Sequence, residues 1–152
     1  MLRGETFDAV LCHGVLMYLE NSRHMIRALS TLARQGGMVS VLTKNASALA
    51  ARPALEGRYG DALSMLGANR DRGRLGVLTR GDTVGGLSAA FAEAGLTVEQ
   101  WYGVRVFTDH RGDSTPGEDL PEILELEWEA GKRDPYRSVG RLIHVVGRKK
   151  PA

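Results

Sequence analysis

The sequence predicts an α/β fold built on a largely parallel sheet, and three observations carry it. Phe7 to Cys12 (FDAVLC) and Met38 to Thr43 (MVSVLT) are short apolar runs with little alternation, the pattern of strands covered on both faces. The segment between them has helical period, and Gly36-Gly37 separates it from the second run. Strand, helix, Gly-Gly and strand make a βαβ unit, whose crossover is right-handed and whose strands are parallel.

Each element follows from its residues. Asn21 or Ser22 can cap the first helix, and Met25, Ile26, Leu29, Leu32 and Ala33 fall on one face of it. Asn45 to Glu56 is Ala-rich and reads as a helix bent or interrupted at Pro53. Gly57 to Arg80 is basic and glycine-rich and reads as a partly mobile loop. Gly81-Asp82-Thr83 starts a helix with Val84, Leu87, Phe91 and Ala94 on one face, ended by Gly95. Leu96 to Phe107 has strand character, and Gly112 to Gly117 is a break. Asp119 can cap a helix with Pro121 in its first turn and Ile123, Leu124, Leu126 and Trp128 as apolar positions. Asp134-Pro135-Tyr136 ends it, Arg141 to Val146 is the last strand, and Arg148-Lys149-Lys150 forms a basic tail. No repeat or linker divides the 152 residues, so one domain is expected.

Composition narrows the function. Hydrophobic residues make up 43% and charged residues 25%, ordinary for a globular domain. A net charge of +2 by itself implies no polyanionic partner. The single cysteine, Cys12, excludes an internal disulfide, and its place in an apolar run marks it as a buried thiol. The four histidines are too scattered for a zinc site, so no metal is expected. No apolar run reaches the length of a membrane span and no signal-peptide pattern opens the chain, so a cytoplasmic protein without membrane contact is expected. A hydrolase reading has no support, because there is no GxSxG elbow. In open parallel sheets ligands sit beyond the carboxyl ends of the strands, which puts His13, Gly14 and the residues up to Tyr18 at the crevice.

Four segments carry a family resemblance: FDAVLCHGVLMYL at Phe7, LARQGGMVSVLTKNA ending at Ala46, GVRVFTDH at Gly103, and DPYRSVGRLIHVVGRK ending at Lys149. With them the chain resembles the C-terminal part of class I S-adenosylmethionine-dependent methyltransferases. More narrowly, it is similar to the bacterial tRNA 5-carboxymethoxyuridine methyltransferase group, which methylates a carboxylate on a wobble uridine. The resemblance implies a Rossmann-like sheet ordered 3-2-1-4-5-7-6. Phe7 to Cys12 would be strand 4, Met38 to Thr43 strand 5, Leu96 to Phe107 strand 6 and Arg141 to Arg148 an antiparallel strand 7. Strands 1 to 3 and the glycine-rich cofactor loop of such folds would be absent. The expectation is therefore a shortened copy, a fragment, or a start placed too far downstream. Phe7 to Cys12 would then be an exposed edge prone to self-association.

The resemblance also implies S-adenosylmethionine as cofactor, with His13 and Gly14 at its site, and tRNA or a small carboxylate as acceptor. Transfer from a sulfonium to an ionised carboxylate needs orientation rather than a base, and arginine forks suit that. The candidates for the acceptor site are Arg105, Arg141, His144, Tyr136 and Asn45. Helix capping is an equal explanation of Asn45, and a core position explains His144. No residue is singled out as catalytic. Two alternatives stand beside this reading: an inactive half-domain serving as an interaction or RNA-binding module, and a methyltransferase for a small-molecule acid.

Overall fold

The computed structural model describes residues 4–73, 76–112, 115 and 117–151. The first strand, β1 (Phe7–His13), leads through a 3-10 turn to α1 (Ser22–Leu32). The Asn21 side chain accepts the Arg23 N–H at 2.9 Å and caps α1. The helix ends where the Ala33 backbone turns extended, before the Gly36-Gly37 pair expected to stop it. Strand β2 (Ala33–Lys44) begins at once, and the glycines lie inside it. Phe7 pairs with Ala33 and Ala9 with Met38, so residues 34–37 bulge out of the ladder. Gly36 has φ +71°, and a Cβ on Gly37 would stand 2.9 Å from the Arg34 carbonyl oxygen. The pair thus makes a bulge rather than a helix cap.

After β2 the chain leaves the sheet. It forms α2 (Ala51–Leu55), α3 (Tyr59–Met65) and a small antiparallel hairpin of β3 (Arg70–Arg72) and β4 (Leu78–Arg80). Pro53 falls in the first turn of α2, where no N–H is required, so it does not interrupt a helix. The stretch expected as a loop is therefore largely structured. It then returns through α4 (Val84–Glu93), which Thr83 caps by accepting the Gly86 N–H at 3.1 Å. Strand β5 (Leu96–Val104) follows and stops short of Phe107, because Arg105 takes φ +57°. Helix α5 (Leu120–Gly131) has Pro121 in its first turn, but the Asp119 side chain makes no capping bond. The last strand is β6 (Leu142–Lys149).

The four long strands form one sheet in the order β1-β2-β6-β5, with β1 and β2 parallel and β6 antiparallel to both neighbours. This is the 4-5-7-6 order that the resemblance implied. Helices α1 and α4 cover one face, where Ile26, Leu87 and Phe91 pack on Val39, Val41, Ile143 and Val145. The other face departs from the expectation of strands covered on both sides. β1 buries Val10 and Cys12 toward α1, while Leu11 between them is 60% exposed. Among the described residues, α5 leans on that second face, near β5. β1 is an edge strand of the sheet among the described residues.

Candidate functional site

The carboxyl ends of β1, β2 and β5 and the start of β6 share one end of the sheet. Their pairings fix this: His13 lies opposite Leu42, Lys44 opposite Leu142, and Leu142 opposite Val104. Just beyond, the Arg141 amide donates to the Arg105 carbonyl at 3.2 Å and the Asn45 amide to the Arg141 carbonyl at 3.0 Å. Three of the expected site residues, Asn45, Arg105 and Arg141, are therefore brought together by backbone bonds.

Their side chains do different things. Asn45 is buried and donates its amide hydrogens to the carbonyls of Ser138 and Gly140, while its oxygen accepts the Ser47 N–H. It braces the segment that leads into Arg141. Arg141 is mostly buried and lies between two carboxylates, with Nη2 at 3.4 Å from Asp71 and Nε at 3.8 Å from Asp109. Arg105 Nε stands 3.4 Å from the other Asp109 oxygen. Among the described residues, nothing donates a hydrogen bond to the buried Asp109 Oδ2.

Beneath Arg141 lies a residue the sequence reading passed over. Lys44 closes β2, is buried, and donates to Asp71 and to Thr79 of the small hairpin. Burial pushes the Lys44 ammonium below its ordinary value, and the Asp71 bond works against that. Burial would raise the Asp71 carboxyl, but the bond from Lys44 and the charges of Lys44 and Arg141 hold it below the ordinary range. Asp71 thus ties β2, the hairpin and Arg141 into one polar knot. Asp82 makes a second one, accepting from Ser22 at 3.1 Å and taking both terminal nitrogens of Arg80. A buried lysine ending an apolar strand was a visible signal for the first knot; its acidic partner, a long way along the chain, was not.

Of the remaining candidates, His13 closes β1 at the same end of the sheet, and His144 lines a groove on the half-open face together with Arg105. His13 and His144 sit on the half-open face, each with Nε2 hydrogen-bonded to Ser40 Oγ, at 2.9 and 2.8 Å. One hydroxyl proton serves only one of these imidazoles, so the other must donate from Nε2. Burial, then the charge of His13, lowers the His144 pKa. Tyr102 stacks on Trp128 at 5.7 Å beside this row, over an apolar groove of about 710 Å3. Gly14 follows His13 with φ +72°, its N–H bonded to the Leu42 carbonyl and open space where a Cβ would be. Tyr136 packs against Phe107 at 6.1 Å in a separate groove with Leu126 and Arg133. The structure does not bring it to Arg141. Cys12 is buried, and burial pushes its thiol pKa up, away from a reactive thiolate.

Comparison with known proteins adds to this geometry. No protein-family model matches the chain. Over 143 residues it is 30% identical to the tRNA 5-carboxymethoxyuridine methyltransferase of Escherichia coli O157:H7, covering 93% of this chain and 54% of that protein. The protein of the same name from strain K12 is 29% identical over the same length. The chain spans about half the length of the curated relatives it matches. Among solved structures, a putative S-adenosylmethionine-dependent methyltransferase from Listeria monocytogenes superposes with a TM-score of 0.56 at 11% identity, over 99% of this chain and 64% of that one. An S-adenosylmethionine-dependent methyltransferase from Mesorhizobium loti gives 0.54 at 15% identity, over 95% of this chain and 62% of that one. The chain carries a methyltransferase fold.

On that fold, the end of the sheet holding His13, Asn45, Arg105 and Arg141 is the end where open α/β sheets bind their ligands. Among the described residues no helix is long and apolar enough to cross a membrane, and no group of three or more histidine, cysteine or acidic side chains could hold a metal.

Proposed function

We propose that this chain belongs to an S-adenosylmethionine-dependent methyltransferase that transfers a methyl group to a carboxylate oxygen, on an acceptor borne by tRNA. The observation that carries the reading is Arg141. It is a mostly buried guanidinium at the ligand-binding end of the sheet, and its two carboxylate neighbours stand at 3.4 and 3.8 Å, too far for tight hydrogen bonds. Among the described residues its Nη1 makes no protein hydrogen bond and is available to an incoming carboxylate, with Arg105 beside it. Asn45 holds the backbone on which Arg141 sits. His144 lines the half-open groove with Arg105 and not the cavities at Arg141, and Tyr136 lines a separate groove, so neither is given a part in the clamp.

For the cofactor, this chain offers one wall. His13 and Tyr18 are exposed flat surfaces at the end of β1, and Gly14 leaves no Cβ in the way, so these residues fit one edge of a bound nucleoside. S-adenosylmethionine bound there would supply an electrophilic methyl group. The chain's own residues hold the acceptor: an ionised carboxylate has no proton to lose, so orientation by Arg141 is the contribution required. The name shared by the curated relatives supports tRNA as the bearer of the acceptor.

The test is incubation with S-adenosylmethionine labelled in its methyl group and bulk tRNA. A label released as methanol by mild base supports an ester product. Label retained through base treatment, or found on a ring nitrogen or carbon, overturns the reading.

A further inference from the structure

The excursion between β2 and α4 forms one side of an open cleft of about 350 Å3 against Arg141. Arg52, Arg58, Arg72 and Arg141 line it together with Asp61 and Asp71. Counting the ion-pair partners of these lining residues, Lys44, Glu56 and Asp109, five cations meet four carboxylates. A concave site with an excess of one sign concentrates the opposite charge.

The arginines are also held in place with donors left over. Glu56 accepts from Arg52 Nε and from Arg58 Nη2, both at 2.7 Å, and so fixes the two guanidiniums side by side. Arg72 spends Nη1 on the Gly76 carbonyl at 2.8 Å. Among the described residues, both terminal nitrogens of Arg52, Nε and Nη2 of Arg72, and Nη1 of Arg141 make no protein hydrogen bond. Arg58, just before α3, and Asp61, Ser64 and Met65 on it turn to the cavity, while Tyr59 and Leu63 are exposed.

We propose that this cavity binds a phosphate group of the methyl acceptor, next to the carboxylate that Arg141 orients. A tetrahedral oxyanion can satisfy several arginine forks at once, which one planar carboxylate cannot. The inference rests on the proposed function only for what the phosphate belongs to; the anion site itself is testable without methyl transfer.

The probe is inorganic phosphate, titrated at constant ionic strength while the arginine Nε–H signals are followed by NMR. Saturable shifts confined to Arg52, Arg58, Arg72 and Arg141 are expected. The double variant Arg52→Gln/Arg72→Gln should bind phosphate about tenfold more weakly. Asp61→Asn removes a competing carboxylate and should bind about two- to threefold more tightly, a gain that misfolding cannot imitate. Equal shifts at outlying arginines such as Arg23 and Arg148, or unchanged affinity in both variants, overturn the proposal. Competition then assigns the source: displacement by a short single-stranded RNA supports a nucleic-acid phosphate, and displacement by phosphoserine alone supports a small phosphorylated acid. Displacement by neither overturns it. Failure to bind S-adenosylmethionine would count against the proposed function and leave the anion site standing.

Discussion

Arg141 reaches the Asp71 carboxylate at 3.4 Å across 70 positions of chain. The other Asp71 oxygen is taken by Lys44, so one carboxylate links a sheet strand, the small β3–β4 hairpin and the arginine that faces the candidate acceptor site. Removing that carboxylate leaves a buried ammonium unpaired. Asp71→Asn should lower the unfolding free energy by about 3 kcal/mol, read as a lower urea midpoint at unchanged slope. A variant as stable as the parent would show that the pair contributes nothing net.

Acid should weaken the fold in two stages. His144 has its folded pKa below the ordinary 6.5, because burial, and then His13, disfavour the imidazolium. The unfolded chain therefore takes the proton first, and stability that is complete above pH 6.5 falls as pH drops through the folded value. Asp71 is likewise held below its ordinary 3.8, so its contribution is full above that pH and is lost as pH falls through the lower folded value. Urea midpoints measured down the pH scale should show the first stage vanish in His144→Gln and the second in Asp71→Asn. Stability that rises on acidification below pH 6.5 would contradict this sign.

Asn45→Ala should cost about 2 kcal/mol, since it strips hydrogen bonds from the carbonyls of Ser138 and Gly140 and from the Ser47 amide. It should also loosen the segment before Arg141, seen as faster amide exchange at residues 138–141. Loss of stability without faster exchange there would show that the brace acts elsewhere.

Gly147 lies under the Phe91 ring, where an added Cβ would come within 2.6 Å of a ring carbon and 2.9 Å of the Thr97 carbonyl. Gly147→Ala should destabilise by about 2 kcal/mol by displacing a fully buried side chain. Equal urea midpoints for the two proteins would mean that the ring has room to move.

Much of the fold was legible because its signals are local. The apolar runs at Val10, Val39 and Ile143 and the 3.6-residue period of α1 need no partner to be recognised, and they lie where the pattern placed them. What pattern missed depends on contacts distant in sequence. Gly36-Gly37 looks like a helix stop, yet it serves a bulge whose need arises only from the register of β2 on β1. Leu11 looks buried because it is apolar, but the sheet covers only alternate residues of that strand. Residues 57–80 read as loop through their glycines, while the hairpin they form is held by Lys44 beneath it. In the site, the motif residues Arg105 and Arg141 were visible and adjacent. Tyr136 stands close to Arg141 in sequence and apart from it in space. Asp71 and the Arg52–Arg58 pair carry no motif, and only the folded chain brings them to Arg141.

The central claim, that Arg141 orients a carboxylate for methylation, is tested most directly by the rate of base-labile methyl incorporation into tRNA, parent against Arg141→Gln, at saturating S-adenosylmethionine. Losing a charge-assisted fork of about 3 kcal/mol should slow the variant by roughly a hundredfold, with Arg141→Lys recovering only part of it. Equal rates in parent and Arg141→Gln would contradict the account.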